Sequence, residues 1–561
     1  MDEIREGTLN SEVEPDPGTQ NSSDGEGAVT AEVVFEAPER VFSTSQTVFA
    51  WISWLAGYLL CRLYPIASSP LGGFLFVLGL FVATAVILKK QGAVFTKMSV
   101  LAVAAAVVLS LALILSSNEM LHMVSFAFSL AALGYFVYSS TGNALKKGFS
   151  DLIFVDFFKA LVVLPFCSFG QMFKAMFYGR ASSGGKTFGK ILLGVCIALF
   201  PTITVIVLLS YDDGFTEILG KIFAFNFLDV LSHILSIGLG VPIGMYILGL
   251  FLSSLDGDKA DYINAETMGR ISLGMKRLPT VTGIAASAPL LFIYVVFFIS
   301  QWKYYISGFT GVLPDDQSYA NYAREGFFQL CAVSVINLLA IIVLSAFMRR
   351  SEDGRSLVLK LLSVVFSVFT LILISTAIAK MVMYIDCYGL TPKRVYASWF
   401  MVLLALVFVI ITVKQFVKRL KVIIACVGVS VVMLAVLSLS NVDGIIARYN
   451  VDRYLDGDLK TVDVGALYDL GDSATPELVR LANELDERLG TDISISLTQE
   501  KNTDYSGDSE RLVYRDVTDY LKRSASRFEL ENNGIFSYTL QKYRAEKALK
   551  SIGALDCSRA R

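Results

Sequence analysis

The stretch TAIAKMVMYIDCYGLTPKRVYASWFM, Thr376 to Met401, closes one apolar run, turns a short polar corner and opens the next. Two apolar segments meeting at a polar corner are read as consecutive membrane-crossing helices, and this sets the fold class: all-α, a polytopic α-helical membrane protein. Lys380, Tyr384, Cys387 and Thr391 recur at spacings of four, three and four, so a helix running through the corner would carry all of them on one face. Arg394, Tyr396 and Trp399 follow, where aromatic belts and basic anchors sit at a lipid and water boundary. Lys380 falls about one turn inside the first run, where a lysine either snorkels to the headgroups or meets a partner.

The composition of the whole chain agrees. Its 561 residues are 54% hydrophobic and 17% charged, and the mean hydropathy is +0.59, outside the range of soluble domains. The net charge is -2 and the basic residues are scattered between apolar runs instead of forming one basic face, so no nucleic-acid partner is implied. Seven cysteines without paired spacing give neither a disulfide framework nor a metal site, and two histidines, His122 and His233, are too few for a His-based metal cluster. No cofactor is implied.

Residues 1–45 carry eleven acids against Arg5 and Arg40 amid Ser, Gly, Pro and Thr, the composition of a disordered acidic tail. The tail lacks a basic region before the first apolar run, so that run should act as a signal anchor. Eleven stretches beyond it can cover roughly 30 Å of hydrocarbon. They lie near 48–66, 70–88, 98–117, 121–140, 190–210, 234–255, 280–301, 326–348, 357–384, 395–413 and 421–440. Every even-numbered span ends in a basic loop, from Lys89 and Lys90 after the second to Lys414, Lys418 and Arg419 after the tenth, whereas the alternate loops around Asn118, Asp212 and Asp315 are acidic or neutral. The corner with Lys393 and Arg394 departs from that rule. By the positive-inside bias the N-terminus is expected in the cytoplasm of the cell and residues 441–561 outside.

The organisation expected is therefore a tail at 1–45, an N-terminal transmembrane bundle with interfacial helices at 46–280, a C-terminal bundle at 281–440, and a soluble helical domain at 441–561. Within the first bundle, Asp151 to Tyr178 carries Asp156, Lys159, Pro165 and Lys174 through apolar sequence, which fits a helix pair lying in the inner interface. Thr216 to His233 is its outer counterpart, with Asp229 and His233 spaced to pair on a solvated helix face. In the last domain helices are expected at Ala474 to Leu489, with Pro476 in the first turn, at Tyr514 to Phe528 and at Ile535 to Ile552.

Catalytic motifs are weak. Gly179 to Thr187 reads GRASSGGKT, but the first glycine of a phosphate loop is required at Arg180, and no strand precedes it; a flexible basic linker accounts for it. Asp-Gly-Asp at 256 and 456 is a common turn sequence, and no Gly-x-Ser-x-Gly elbow occurs. What stands out is polar chemistry in apolar territory. Tyr322, Arg324 and Glu325 open span eight, with Gln329 one turn on from Glu325 and Asn337 about 80° round from Gln329. Such groups commonly act as glue between helices.

Three ordered motifs then carry a resemblance: Tyr322-Ala323-Arg324-Glu325-Gly326-Phe327-Phe328; Tyr384-Ile385-Asp386-Cys387-Tyr388-Gly389-Leu390-Thr391 with Arg394 and Phe400-Met401; and Ala447-Arg448-Tyr449-Asn450 with Gly471-Asp472 and Ala474 to Leu478. Over about residues 280–480 the chain resembles the bacterial membrane family called Domain of Unknown Function 4173, related to family 4153. The resemblance implies a multi-pass protein of the bacterial envelope and names no activity. Loop parity places all three motifs on the outer face, so a shared polar site is expected from Tyr322, Arg324, Glu325, Gln329, Lys380, Tyr384, Tyr388, Thr391, Arg394, Arg448, Tyr449 and Asn450. Within it Lys380 is expected to neutralise Glu325, with Asp386, about 120° off the stripe, as the alternative acid. The reading favours a non-enzymatic sensor, assembly factor or scaffold in the cell membrane, ahead of a secondary transporter and then an envelope enzyme. Its partners are the lipid bilayer and, through the C-terminal domain, another envelope protein.

Overall fold

In a computed structural model the described residues are 42–63, 70–177 except 147 and 149, 227–256, 263–300, 327–349, 357–493, 509–530 and 538–555, with isolated positions 194, 198, 201, 205, 209 and 497. All elements among them are helical. Nine helices in this set are long and apolar enough to cross a membrane. They comprise α2 (Pro70–Lys90), α3 (Lys97–Leu115), α4 (Glu119–Ser140), the Ser232–Asp256 part of α7 (Phe227–Asp256), α9 (Thr280–Ser300), α10 (Phe327–Phe347), α11 (Leu357–Tyr388), α12 (Pro392–Phe416) and α13 (Val422–Leu439). The span expected near 190–210 lies almost wholly outside the described residues, as does the stretch 216–226. The side chain of Asp229 lies outside them too, so the pairing expected with His233 is not described.

The first expected span forms α1 (Thr44–Leu63), whose polar first turn and Arg62 shorten its apolar run. Even so, it travels the depth of α7, antiparallel to it. The Arg62 Nη1 donates to Ser232 Oγ at 2.9 Å at one end, and the rings of Phe49 and Phe251 lie 4.6 Å apart at the other. Between them the backbones touch: a Cβ on Gly57 would lie 2.2 Å from the Gly240 carbonyl oxygen, and one on Gly244 would lie 2.8 Å from Trp54 Cα. Small residues four apart allow this approach, in which dispersion and close packing replace the hydrophobic drive that lipid does not supply.

The segment after α4 packs against α4 and α7. Helix α5 runs from Ile153–Phe158 through a π-helical turn, Lys159–Val163, into Leu164–Cys167. Pro165 has no N–H for the Leu161 carbonyl, and the Tyr246 hydroxyl of α7 donates to that oxygen instead, at 2.7 Å. One turn along, Gly249 leaves room for the Pro165 carbonyl, which a Cβ would meet at 2.1 Å. Asp156 and Lys159 are buried, not solvated. The Asp156 carboxylate accepts from the Tyr138 hydroxyl at 2.7 Å and from the Leu145 N–H at 3.0 Å, and the Lys159 ammonium donates to the Ile263 carbonyl at 3.0 Å. Both charges therefore have the partners that burial demands. Helix α6 (Gln171–Met176) then returns to the start of α1, with Phe177 and Trp51 edge to face.

In the second half, α9, α10 and α11 are tied at mid-depth. The Tyr294 hydroxyl donates to Asn337 Oδ1 at 2.6 Å, and Asn337 Nδ2 donates to Thr370 Oγ1 at 2.8 Å. Asn337 is thus the helix-to-helix glue its position suggests. Gln329 is exposed.

These contacts define two faces. One holds the ends of α4, α7 and α10 with the basic loops, the basic face. The other holds the α3–α4 turn, the α11–α12 corner and the start of α14 (Val442–Leu455), the corner face. On the corner face α14, α15 (Val464–Tyr468), α16 (Thr475–Leu489), α17 (Ser509–Leu530) and α18 (Leu540–Ser551) enclose their own apolar core. Pro476 sits in the first turn of α16, and Gly490, at φ +64°, ends it in the left-handed conformation. That core is continuous with Leu121 of α4 and Leu437 of α13, so the module is seated on the bundle.

Candidate functional site

Helix α11 stops at Tyr388 because Gly389 takes φ +74°, with its N–H bonded to the Ile385 carbonyl at 2.8 Å. Glycine enters this region without the steric cost other residues incur. Thr391 is extended and Pro392 starts α12, so the helix does not run through the corner. Lys380, Tyr384 and Cys387 share a face; Thr391 belongs to the next helix.

Asn450 of α14 clamps the corner. Its Oδ1 accepts from the Leu390 N–H at 2.7 Å and its Nδ2 donates to the Leu390 carbonyl at 2.8 Å, so the amide pairs with one residue's backbone as a neighbouring strand would. A Cβ on Gly389 would lie 2.4 Å from that same Oδ1. Glycine is required here twice, for its φ and for the approach of Asn450.

Arg394 folds back over the end of α11. Its guanidinium carbon is 4.0 Å from the Tyr384 ring centre and 5.9 Å from that of Tyr388, and the two rings stand edge to face at 5.3 Å. Its Nη1 donates to the Tyr388 carbonyl at 2.9 Å and to that of Gly389. A cation on the last carbonyls of a helix opposes the negative end of its dipole. Arg453 makes the second tie: its Nη1 donates to Asp386 Oδ1 at 3.1 Å and to the Tyr449 hydroxyl at 3.0 Å, and its Nε lies 3.3 Å from Asp458 Oδ2. Asp386 is therefore engaged with Arg453. Arg448, largely exposed, lies 3.6 Å from Asp452, which also binds Arg480.

The second and third motifs thus come together: Tyr384, Tyr388 and Arg394 on one side, Tyr449 and Asn450 on the other, with Arg448 on the outer flank. Gln329 is not drawn into the cluster, and Lys380 is half-buried below it on α11. Tyr322, Arg324 and Glu325 lie outside the described residues, and with them the Lys380–Glu325 pair.

A second polar node, absent from the sequence reading, lies beside the first. Asn118 caps α4 through its Oδ1, and its Nδ2 donates to Asp443 Oδ2 at 2.8 Å and to the Tyr396 hydroxyl at 3.2 Å. Asp443 is buried, and among the described residues its Oδ1 has no hydrogen-bond partner. Burial pushes its pKa above the usual carboxylate value, against the bond from Asn118. Gln541 of α18 completes the seam: it accepts from the Ser117 N–H at 2.6 Å and donates to Asn441 Oδ1 at 2.7 Å, while Ser117 and Thr539 share a hydroxyl bond of 2.6 Å. The only advance signal was the helix-start pattern Ser116-Ser117-Asn118-Glu119; the partners are hundreds of residues away.

Chemically this is a joint. The arginines are bonded to carbonyls and carboxylates, and among the described residues no three His, Cys, Asp or Glu side chains gather as metal ligands. A family model described as Domain of unknown function (DUF4153) matches residues 75–481, extending the likeness well before the three motifs. No curated protein and no solved structure matches the chain.

Proposed function

The chain belongs to the DUF4153 family, and from that premise we propose that it is a sensor, assembly factor or scaffold of the bacterial envelope in which the corner couples membrane helices to the helical module. The observation that carries this reading is the Asn450 clamp on Leu390, reinforced by Arg453 on Asp386, because displacement of α14 must pull directly on the end of α11. The basic loops support a cytoplasmic N-terminus with the module outside, where another envelope protein would reach it. The three motifs support kinship with family 4173 as well. Lys380, half-buried near the end of α11, is assigned to neutralise Glu325.

A secondary transporter is the alternative, favoured by the mid-depth chain Tyr294–Asn337–Thr370 and by Pro242 and Pro289 inside α7 and α9. Deletion of the gene separates the two: altered envelope-stress transcription with unchanged metabolite uptake is the expected result. In complementation Lys380→Ala should fail, and Lys380→Ala with Glu325→Ala should recover part of the response, since removing both charges leaves neither uncompensated. An uptake defect rescued only by chains that retain Lys380 would establish the transporter instead.

A further inference from the structure

Helix α8 (Ala265–Met275) has no buried residue, yet its position is fixed at both ends. Before it, the Ile263 carbonyl accepts from the buried Lys159 ammonium at 3.0 Å. Beyond it, the Leu278 N–H donates to the Phe347 carbonyl and the Arg349 N–H donates to the Leu278 carbonyl, both at 3.0 Å, which pins the strand-like link to the end of α10. Both tethers are on the basic face, so a helix about 16 Å long lies along that face and does not project from it. Two residues past Leu278 the span α9 begins, which sets α8 at the boundary between hydrocarbon and water.

Its two long sides differ. Met268, Ile271 and Met275 recur at spacings of three and four and form an apolar stripe, while Glu266 and Arg270 pair across 2.6 Å on another side. Leu273 lies off this stripe. The exposed apolar surface runs on through Met275, Leu278, Val281 and Ile284 into the outer surface of α9, continuous with a span long and apolar enough to face lipid. Arg277 and Arg349 flank the link, both exposed, with Lys276 beside them. An apolar stripe continuous with a lipid-facing span, edged by clustered cations at headgroup depth, has the chemistry of an anionic membrane surface as its complement.

We propose that α8, the link 276–279 and Arg349 beside it form a docking surface for acidic phospholipids, with the stripe in the acyl boundary and Arg277 and Arg349 on the phosphates. This is independent of the function proposed for the opposite face.

The test uses the full chain in nanodiscs of phosphatidylcholine and phosphatidylglycerol at a ratio of about four to one, carrying p-benzoylphenylalanine at Ile271 or at Glu266, which stand about 140° apart on the helix. Irradiation at Ile271 should give lipid adducts, several-fold more than at Glu266, with phosphatidylglycerol enriched about twofold over its share of the bilayer. Arg277→Gln with Arg349→Gln should bring the adducts back towards the bulk lipid ratio while the Ile271 crosslink persists. Adducts to protein, no lipid adduct at Ile271, or a lipid ratio equal to that of the bilayer would each overturn the proposal.

Discussion

Asn450 should contribute more to the corner than the exposed charges near it, because it satisfies a partly buried N–H and a partly buried carbonyl of one residue at once. Asn450→Ala removes both bonds and should cost about 2 kcal/mol. Asn450→Asp keeps the acceptor, loses the donor, and should fall between. The measurement is thermal unfolding in detergent, with Arg448→Ala as the comparison: Arg448 is largely exposed and spans 3.6 Å to Asp452, and such pairs contribute little. Equal melting temperatures for Asn450→Ala and Arg448→Ala would remove the clamp from the argument. Asn450 was within the sequence reading as a site residue, but its role was not, because an asparagine's choice between ligand, cap and clamp depends on what the fold brings opposite it.

At the scale of elements, hydropathy made the spans legible: Leu357–Tyr388 and Pro392–Phe416 sit within a few residues of their expected bounds. What it could not give was which helices touch. Apolar side chains tell lipid from water but do not tell lipid from a neighbouring helix, so the pairing of α1 with α7 rests on glycines that hydropathy barely weighs. Gly240 and Gly244, four apart, carried the signal. It follows that Gly240→Ala, whose Cβ would lie 2.7 Å from the Tyr58 backbone nitrogen, should destabilise the protein by about 2 kcal/mol. Gly79→Ala in α2, where a Cβ meets nothing within 4 Å, should be neutral or slightly stabilising. If both variants melt alike, close backbone contact is not what joins α1 to α7. The partners of Asp156 and Lys159 were not legible for a related reason, since nothing in the sequence marks Tyr138, Leu145 and Ile263 as lying opposite them.

For the whole molecule, the arrangement of ends is a check on topology that no single span provides. The α3–α4 turn, the α11–α12 corner and α14 meet on one face, and the ends of α4 and α7 meet on the other, where Asn143 Nδ2 donates to the Ser254 carbonyl at 2.7 Å. Which face looks into the cell was read from loop charge. Alkaline phosphatase fused after Arg561 should be active, and the same enzyme inserted at Gly92, in the turn between α2 and α3, should be inactive. The reverse pattern would invert the protein without disturbing any contact described. Activity at both sites would break the assignment of faces itself.

The Gln541 seam also has a place in time. Ser117 and Gln541 are 424 positions apart, and at the pace of a ribosome the second follows the first by roughly 20 to 85 s. Through that interval the α3–α4 hairpin stands with Ser117, Asn118 and the cap of α4 not yet covered, and a helix made much later closes over them. Assembly of this face is therefore a late, post-insertion event, and the polar tip that later lies under the module must first be tolerated bare by whatever machinery shelters unfinished membrane proteins.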